Sequence, residues 1–526
     1  MKKHSILLFN TLKHLKGKQI FYQVWYRINK SKLLSAYKEK GLYTTETLKF
    51  DDFLPAFPCA DNQLGFTFLN LPVKFNSEVD WSYMENGKLW NYNLHYANYL
   101  LQENIPLNYR IELLKSLYKY HEVNNGLEPY PVSLRIINVI RLVCRHKIDD
   151  QEVLTNLRAE ARFLSSRLEY HLLGNHLLEN VFALLMAGAF FNNLSWINKA
   201  SKVLIDQLGE QILKDGGHFE LSPMYHQIIF YRMLELIDWH GNWHKRNEQN
   251  HQVFVSTAAR MRSWLDNVTF LNGDIPLVND SAKGITYTSA ELFEYADRLH
   301  IDADENIKLT ESGYRMLRKP GYECFVDLAK VGPDYQPGHA HADALSFILY
   351  VNKLPVLVER GTSTYQIGEQ RSAERSTAAH NTLVFNDINQ SEVWGGFRVG
   401  NRAKVHVQAD SPEKVSAWHD GYQKFGCIHK RDFIFEDKLI VIKDEIFGKF
   451  IAANNKILYF HFHPKREVII NDDSLTVDSI LKITFKGDFK IERATYLFAE
   501  EFNKYVKGVL IKVIIKDMLH TEIRLS

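Results

Sequence analysis

Cysteine is scarce in this 526-residue chain: Cys59, Cys144, Cys324 and Cys427 lie far apart and form no Cys-x-x-Cys pair. That spacing excludes a short-range disulfide framework and points to thiols kept reduced. Long apolar runs are missing too. No stretch approaches the roughly 18–20 apolar residues of a membrane-spanning helix, and after MKKHSILLFN the polar Asn10, Lys13 and His14 interrupt any secretory-signal core. A cytoplasmic location is the expectation. Residues 1–33 carry Lys and Arg on an amphipathic pattern with Trp25 and Tyr26; this reads as a terminal helix docked on the protein, with attachment to a membrane surface as the alternative. An excess of one charge sign is also lacking. Lys+Arg 64 against Asp+Glu 62 leaves +2, which is no electrostatic footprint for nucleic acid. An anionic partner has to be gripped locally.

What is present is a foldable composition, 45% hydrophobic and 13% aromatic, with no low-complexity tract and a length that suits two domains. From about residue 95 to 300 the apolar period is helical, as in EVLTNLRAEARFLSSRLEYHLLGNHLLENVFALLMAGAFF (152–191), with Gly174 as the interruption. Successive helix hairpins joined by short Gly, Asn and Pro loops predict an incomplete α/α toroid. After about residue 305 the period becomes two, in runs such as RDFIFEDKLIVIKDEIFG and GVLIKVIIKD. These predict an antiparallel β-sandwich. The expected division is 1–90, an extension packing on the toroid; 91–305, the toroid; and 306–526, the sandwich. A cleft between the two halves is the natural place for a ligand.

Several polar residues could meet there. In GNHLLEN, Asn175 and His176 are helical neighbours splayed by about 100°, so at least one looks sideways or toward a cleft; a capping Asn beside a core His is the bland alternative. In GGHFELSPMYHQ, Ser222-Pro223 reads as an N-cap and first helical residue, placing Tyr225 in the first turn as an acid/base or as packing. GHAHADALSF holds His339 and His341 just before a strand. Glu359 ends that strand's partner and His380 lies in STAAHNTLVF; imidazoles plus a carboxylate from separate segments suit a Zn²⁺-like divalent metal. Between them a long polar loop carries Tyr365, Arg371 and Arg375. His461 and His463 in YFHFHP have strand spacing and read as a strand face. Trp90, Tyr92 and Tyr130 are groove or packing aromatics, and Arg135, after EPYPVS, has a fork suited to a sugar carboxylate.

The ordered set GNHLLEN, SPMYHQ, GHAHADALSF and RSTAAHNTLVF resembles the heparinase II/III-like superfamily of polysaccharide lyases, which includes alginate lyases, over most of the chain. The resemblance implies a toroid followed by a sandwich and β-elimination on uronate-containing acidic polysaccharides. It assigns Asn175 and His176 to the uronate carboxylate, and Tyr225 to proton transfer with Tyr365 as its partner. His339 faces the substrate. His341, Glu359 and His380 hold a structural metal; the family usually carries Asp at the position of Glu359, whose arm is one methylene longer. The missing signal fits members linked to capsule or exopolysaccharide production.

Elimination across C4–C5 of a uronate removes a weakly acidic C5 proton, so the neighbouring carboxylate must be neutralised by donors such as Asn175, His176 or His339. A base must reach C5 and an acid must reach O4. Tyrosine titrates near pH 10, so a basic Tyr225 needs cations, with Arg371, Arg375 and the imidazoles as candidates. The same proton abstraction followed by reprotonation on the other face would make a C5-epimerase. A non-catalytic polysaccharide-binding or assembly factor on the same scaffold is the reading from a different class.

Overall fold

The computed structural model describes residues 2–29, 45–51, 53–120, 126–448 and 455–526. Two helices, α1 (Lys2–Leu12) and α2 (Gly17–Ile28), are followed by a hairpin of β1 (Gly65–Phe68) and β2 (Leu71–Lys74). A run of helices then forms the toroid: α3 (Lys88–Tyr96), α4 (Leu107–Lys119), α5 (Pro129–His146), α6 (Gln151–Ser166), α7 (Gly174–Phe190), α8 (Leu194–Gln211), α9 (Pro223–Asn242), α10 (Glu248–Val268) and α11 (Ser289–Arg298). Their starts follow local chemistry. Asp150, Asn193, Ser222, Asn247 and Thr288 each accept a first-turn backbone N–H, satisfying donors that have no partner within the helix. The long pattern over 152–191 divides into α6 and α7, separated by residues 167–173. α7 is the toroid's central rod: every residue in it is buried except His176.

Strands begin at Tyr314. β3 (Tyr314–Lys319), β4 (Tyr322–Asp327), β5 (Phe347–Val351) and β6 (Leu354–Leu357) make a four-stranded antiparallel sheet in that order. β5 is buried on both faces. A short helix, α12 (Glu369–Glu374), and β7 (Leu383–Phe385) follow, then a small hairpin of β8 (Val393–Trp394) and β9 (Arg398–Val399). The second sheet contains β10 (Val405–Asp410), β11 (Lys414–His419), β12 (Ile428–Glu436), β13 (Leu439–Phe447), β14 (Lys456–His461), β15 (Val468–Ile470), β16 (Ser474–Val477), β17 (Leu481–Phe498) and β18 (Val506–Leu525). Its order is β10-β11-β12-β13-β18-β17-β16-β15, with β14 pairing β18 and β7. The two sheets close over one core, where Phe347 meets Phe433 at 5.7 Å and Phe460 at 6.4 Å between ring centroids. Alternating burial along β12 and β13 puts Phe433, Phe435, Ile440, Ile442 and Ile446 on that core, together with a buried Arg431–Asp444 ion pair at 2.7 Å. This is a toroid followed by an antiparallel sandwich.

Trp90 is fully buried against Phe68, with its indole N–H donating to the Leu71 carbonyl at 2.9 Å; it is packing rather than a groove wall. His461 and His463 are also buried. All four cysteines carry free thiols. Among the described residues no helix is long and apolar enough to cross a membrane.

Candidate active site

The helical wall comes from the first turns of α7 and α9. Each is preceded by a leucine in the left-handed region, Leu173 at φ 64 and Leu221 at φ 57. Such a conformation costs a bulky residue about 1–2 kcal/mol, so packing must enforce it; the Leu221 carbonyl is held by Asn279 Nδ2 at 2.9 Å and Tyr314 OH at 2.5 Å. At the start of α7, Asn175 is buried and donates through Nδ2 to Glu220 Oε2 at 2.7 Å and through its backbone N–H to Oε1 at 3.1 Å. His176 keeps 30% side-chain exposure, with Nδ1 3.2 Å from Glu169 Oε1 and its ring 4.4 Å from that of Tyr130. Burial works against the imidazolium, yet the Glu169 carboxylate outweighs it and the His176 pKa is raised. Glu169 shifts down: burial opposes its ionisation and His176 more than compensates.

On α9, Ser222 Oγ accepts the Tyr225 N–H at 3.2 Å, which fixes Tyr225 in the first turn. Its ring lies 3.9 Å from the His339 ring, and its hydroxyl accepts from Tyr365 OH at 3.3 Å. Burial first, then Tyr365, Asp280 and Glu220, hold the Tyr225 pKa well above the ordinary phenol value. Tyr365 is raised by burial and by Asp280. Both phenols therefore rest protonated.

Asp280, in the loop between α10 and α11, organises the opposite wall. Its Oδ2 lies 2.9 Å from His339 Nδ1 and its Oδ1 3.0 Å from His341 Nε2. Arg371 completes the group with Nη2 on Oδ2 at 2.7 Å and Nη1 on Oδ1. Burial disfavours this carboxylate, but Arg371 and the two histidines hold its pKa well below the usual range. With Nδ1 engaged, His339 Nε2 faces Glu220 Oε2 at 3.7 Å.

The three arginines expected to grip substrate are instead internal braces. Arg135 is buried in α5, with Nε on Glu160 at 2.6 Å, Nη1 on the His95 carbonyl at 3.0 Å and Nη2 on the Gly126 carbonyl at 2.8 Å. Arg371 is fully buried on Asp280. Arg375 directs its donors to the carbonyls of Ala340 at 3.0 Å and Gly396 at 3.1 Å, tying the histidine loop to the β8–β9 hairpin. Arg371 also lies over the Tyr365 ring at 5.0 Å and pulls that phenol's pKa down, but burial and Asp280 outweigh it.

Behind His339 lies a second grouping. One ligand atom each from His341, Asp343 and His380 fall within 4.8 Å of one another, all buried. Among the described residues, His341 Nδ1, Asp343 Oδ2 and His380 Nε2 have no hydrogen-bond partner. Buried, unpartnered imidazole and carboxylate atoms this close together suit a cation, which would displace the proton that Glu359 favours on His380. Burial lowers His341 to about 3, with Asp280 pulling weakly the other way, so it is the neutral, ligating form. Glu359 takes a different place from the ligand role the resemblance implied. Its Oε1 accepts from Ser346 Oγ at 2.5 Å and its Oε2 contacts His380 Nδ1. Both its oxygens are engaged; the free carboxylate oxygen belongs to Asp343.

Asp280 and Glu169 were not singled out by sequence as site residues, because an acid in a loop reads as surface charge. Asp343 stands two residues after His341, and HxHxD spacing was a usable signal.

Two adjoining family models match the chain, Heparinase II/III N-terminus over residues 147–304 and Heparinase II/III-like, C-terminal over 303–511. A heparin-sulfate lyase of Bacteroides stercoris is 26% identical over 337 residues, 58% of this chain and 48% of that protein. A heparin-sulfate lyase of Pedobacter heparinus is 25% identical over 271 residues, 45% and 40% respectively. The match thus spans about half the length of these curated relatives or less. Among solved structures, a crystal structure of heparinase III shares the fold with TM-score 0.69 at 17% identity, over 97% of this chain and 92% of that one. The heparan sulfate lyase HepC of Pedobacter heparinus gives 0.57 at 15%, over 96% and 88%. With both family models adjoining across the toroid and the sandwich, and the histidine loop inside the second of them, the chain belongs to the heparinase II/III-like superfamily.

Proposed function

We propose that the protein is a polysaccharide lyase that cleaves a uronate-containing acidic polysaccharide by β-elimination. One observation carries the reading: Tyr225, Tyr365 and His339 converge, with the phenol oxygens 3.3 Å apart and the imidazole 3.9 Å from the Tyr225 ring. Asn175 and His176, on the facing helix, receive the sugar carboxylate; His176, raised by Glu169, offers a positive donor there. His339 Nε2, freed by the engagement of Nδ1 with Asp280, takes the C5 proton. The C–H electron pair becomes the C4–C5 double bond, the C4–O4 bond breaks, and O4 takes the proton of Tyr225. A protonated Tyr225 suits that acid role, and Tyr365 can resupply its proton.

Two imidazoles and a carboxylate favour Zn²⁺ as the divalent ion that His341, Asp343 and His380 would hold. Bound there, it supplies a fixed positive charge and cross-links the histidine loop to the His380 segment. Glu359 orients His380 through Nδ1. The link to capsule or exopolysaccharide metabolism rests on the sequence resemblance alone, and heparin-sulfate lyases among the relatives support a sulfated or unsulfated uronate polymer as substrate.

The test is an ultraviolet assay for the unsaturated uronate over a panel of acidic glycans, with chain length followed in parallel. Rising absorbance with shortening chains supports the lyase. Inversion at C5 without absorbance would make it an epimerase, and binding without either change a non-catalytic factor.

A further inference from the structure

The helices α1 and α2 lie on the protein by one face only. Asn10 Nδ2 donates to Glu392 at 3.4 Å, Gln19 Nε2 to the Leu172 carbonyl at 3.2 Å and Tyr26 OH to the Leu168 carbonyl at 2.5 Å, while the rings of Tyr22 and Tyr170 meet at 4.7 Å. The other face of α2 exposes Ile20, Phe21, Val24, Trp25 and Ile28, the last at 74%. The spacing i, i+1, i+4, i+5, i+8 is a single helical stripe. On α1 the exposed Ile6, Phe9 and Leu12 repeat at i, i+3, i+6, with Phe9 at 69%. Isolated exposed apolar residues are ordinary, but aligned stripes on two consecutive helices mark a docking face.

Charge decides what docks. From Lys2 to Asn29 the ionised residues are Lys2, Lys3, Lys13, Lys16, Lys18 and Arg27, with no Asp or Glu. A second copy of the same face would set like charges against one another. Glu210 pairs with Lys16 where the helices rest on the protein, but the helices themselves carry only basic ionised residues, and an apolar stripe on such a segment, with an indole in it, matches the interface of a bilayer bearing anionic headgroups.

We propose that α1 and α2 dock the protein on an anionic lipid surface, with the stripe inserted among the acyl chains and the exposed Lys13 and Arg27 at the headgroups. Gln19 Nε2 also donates to the Tyr335 carbonyl at 3.5 Å, and Trp394 Nε1 donates to Thr11 Oγ1 at 3.1 Å. Docking therefore sets the membrane beside the segments that lead into His339 and into the β8–β9 hairpin, and holds the cleft near the surface on which an acidic polymer is handled.

The experiment is flotation of the full chain with vesicles of phosphatidylcholine alone or containing phosphatidylglycerol. Two variants accompany it, Phe21→Ser/Trp25→Ser and Lys13→Glu/Arg27→Glu, with thermal melts to confirm folding. Binding to the anionic vesicles only, weakened about tenfold or more by either variant and by raised salt, is expected. Folded wild-type protein that ignores phosphatidylglycerol vesicles, or that binds both vesicles equally, overturns the proposal. So does a dimer dispersed by Phe21→Ser/Trp25→Ser without vesicle binding, which would assign the stripe to a second copy.

Discussion

Asp280 and His339 are joined twice: the Asp280 backbone N–H donates to the His339 carbonyl at 3.0 Å, and its carboxylate Oδ2 lies 2.9 Å from His339 Nδ1. The imidazole is thus fixed in position and in tautomer by one residue. Asp280→Asn keeps the shape and removes the charge, so turnover on the responsive glycan should fall on the order of a hundredfold or more. Arg371, left buried opposite a neutral amide, should cost about 3–5 kcal/mol in chemical denaturation. Normal turnover with an intact melt would remove Asp280 from the positioning role.

Tyr225→Phe deletes one hydroxyl and leaves the ring packed against His339. Product formation by ultraviolet absorbance should drop by roughly 10²–10⁴-fold, with the melting temperature nearly unchanged because, among the described residues, the phenol oxygen bonds only Tyr365. Tyr365→Phe should lose less. A reversed order would exchange their roles.

For the metal grouping, elemental analysis of protein purified without chelator should find about one divalent ion per chain. Asp343→Asn and His341→Ala should release it, and Glu359→Gln should weaken it by about 10–100-fold. Chelation should lower the melting temperature. Absence of any ion together with a chelator-insensitive melt would reject the site.

The Glu169–His176 pair gives a pH signature. His176 is raised, so its contribution is full below the ordinary imidazole value of 6.5 and is lost as pH rises through the elevated value. Glu169 is depressed, so its share disappears only on the acid side, as pH falls through its lowered value. His176→Gln should therefore destabilise more at about pH 5.5 than at about pH 8.5. Equal deficits in denaturant midpoint at the two pH values would show that the charge pair contributes nothing.

Arg135→Ala should act on stability and not on substrate affinity. It leaves Glu160 charged and buried inside the toroid, a loss of about 3–5 kcal/mol. A selective rise in KM with normal stability would return Arg135 to the groove.

The architecture was legible because a period of 3.6 giving way to a period of 2 reflects which faces are buried, and burial is what the apolar pattern encodes. Tyr225 was placed correctly in a first turn because Ser222-Pro223 is a local signal. The arginines were misread for a physical reason: a guanidinium fork looks the same in sequence whether it awaits a sugar carboxylate or holds Asp280. Glu359 and Asp343 differ only in which oxygens neighbours have already claimed, and that depends on Ser346 and His380, residues that converge only in three dimensions.

Asp280 belongs to the loop that follows the long toroid helices, whereas His339, His341 and Arg371 all come from the sheet half. Each half therefore completes the buried charge balance of the other: a toroid produced alone would carry an uncompensated Asp280, and a sandwich alone an uncompensated Arg371.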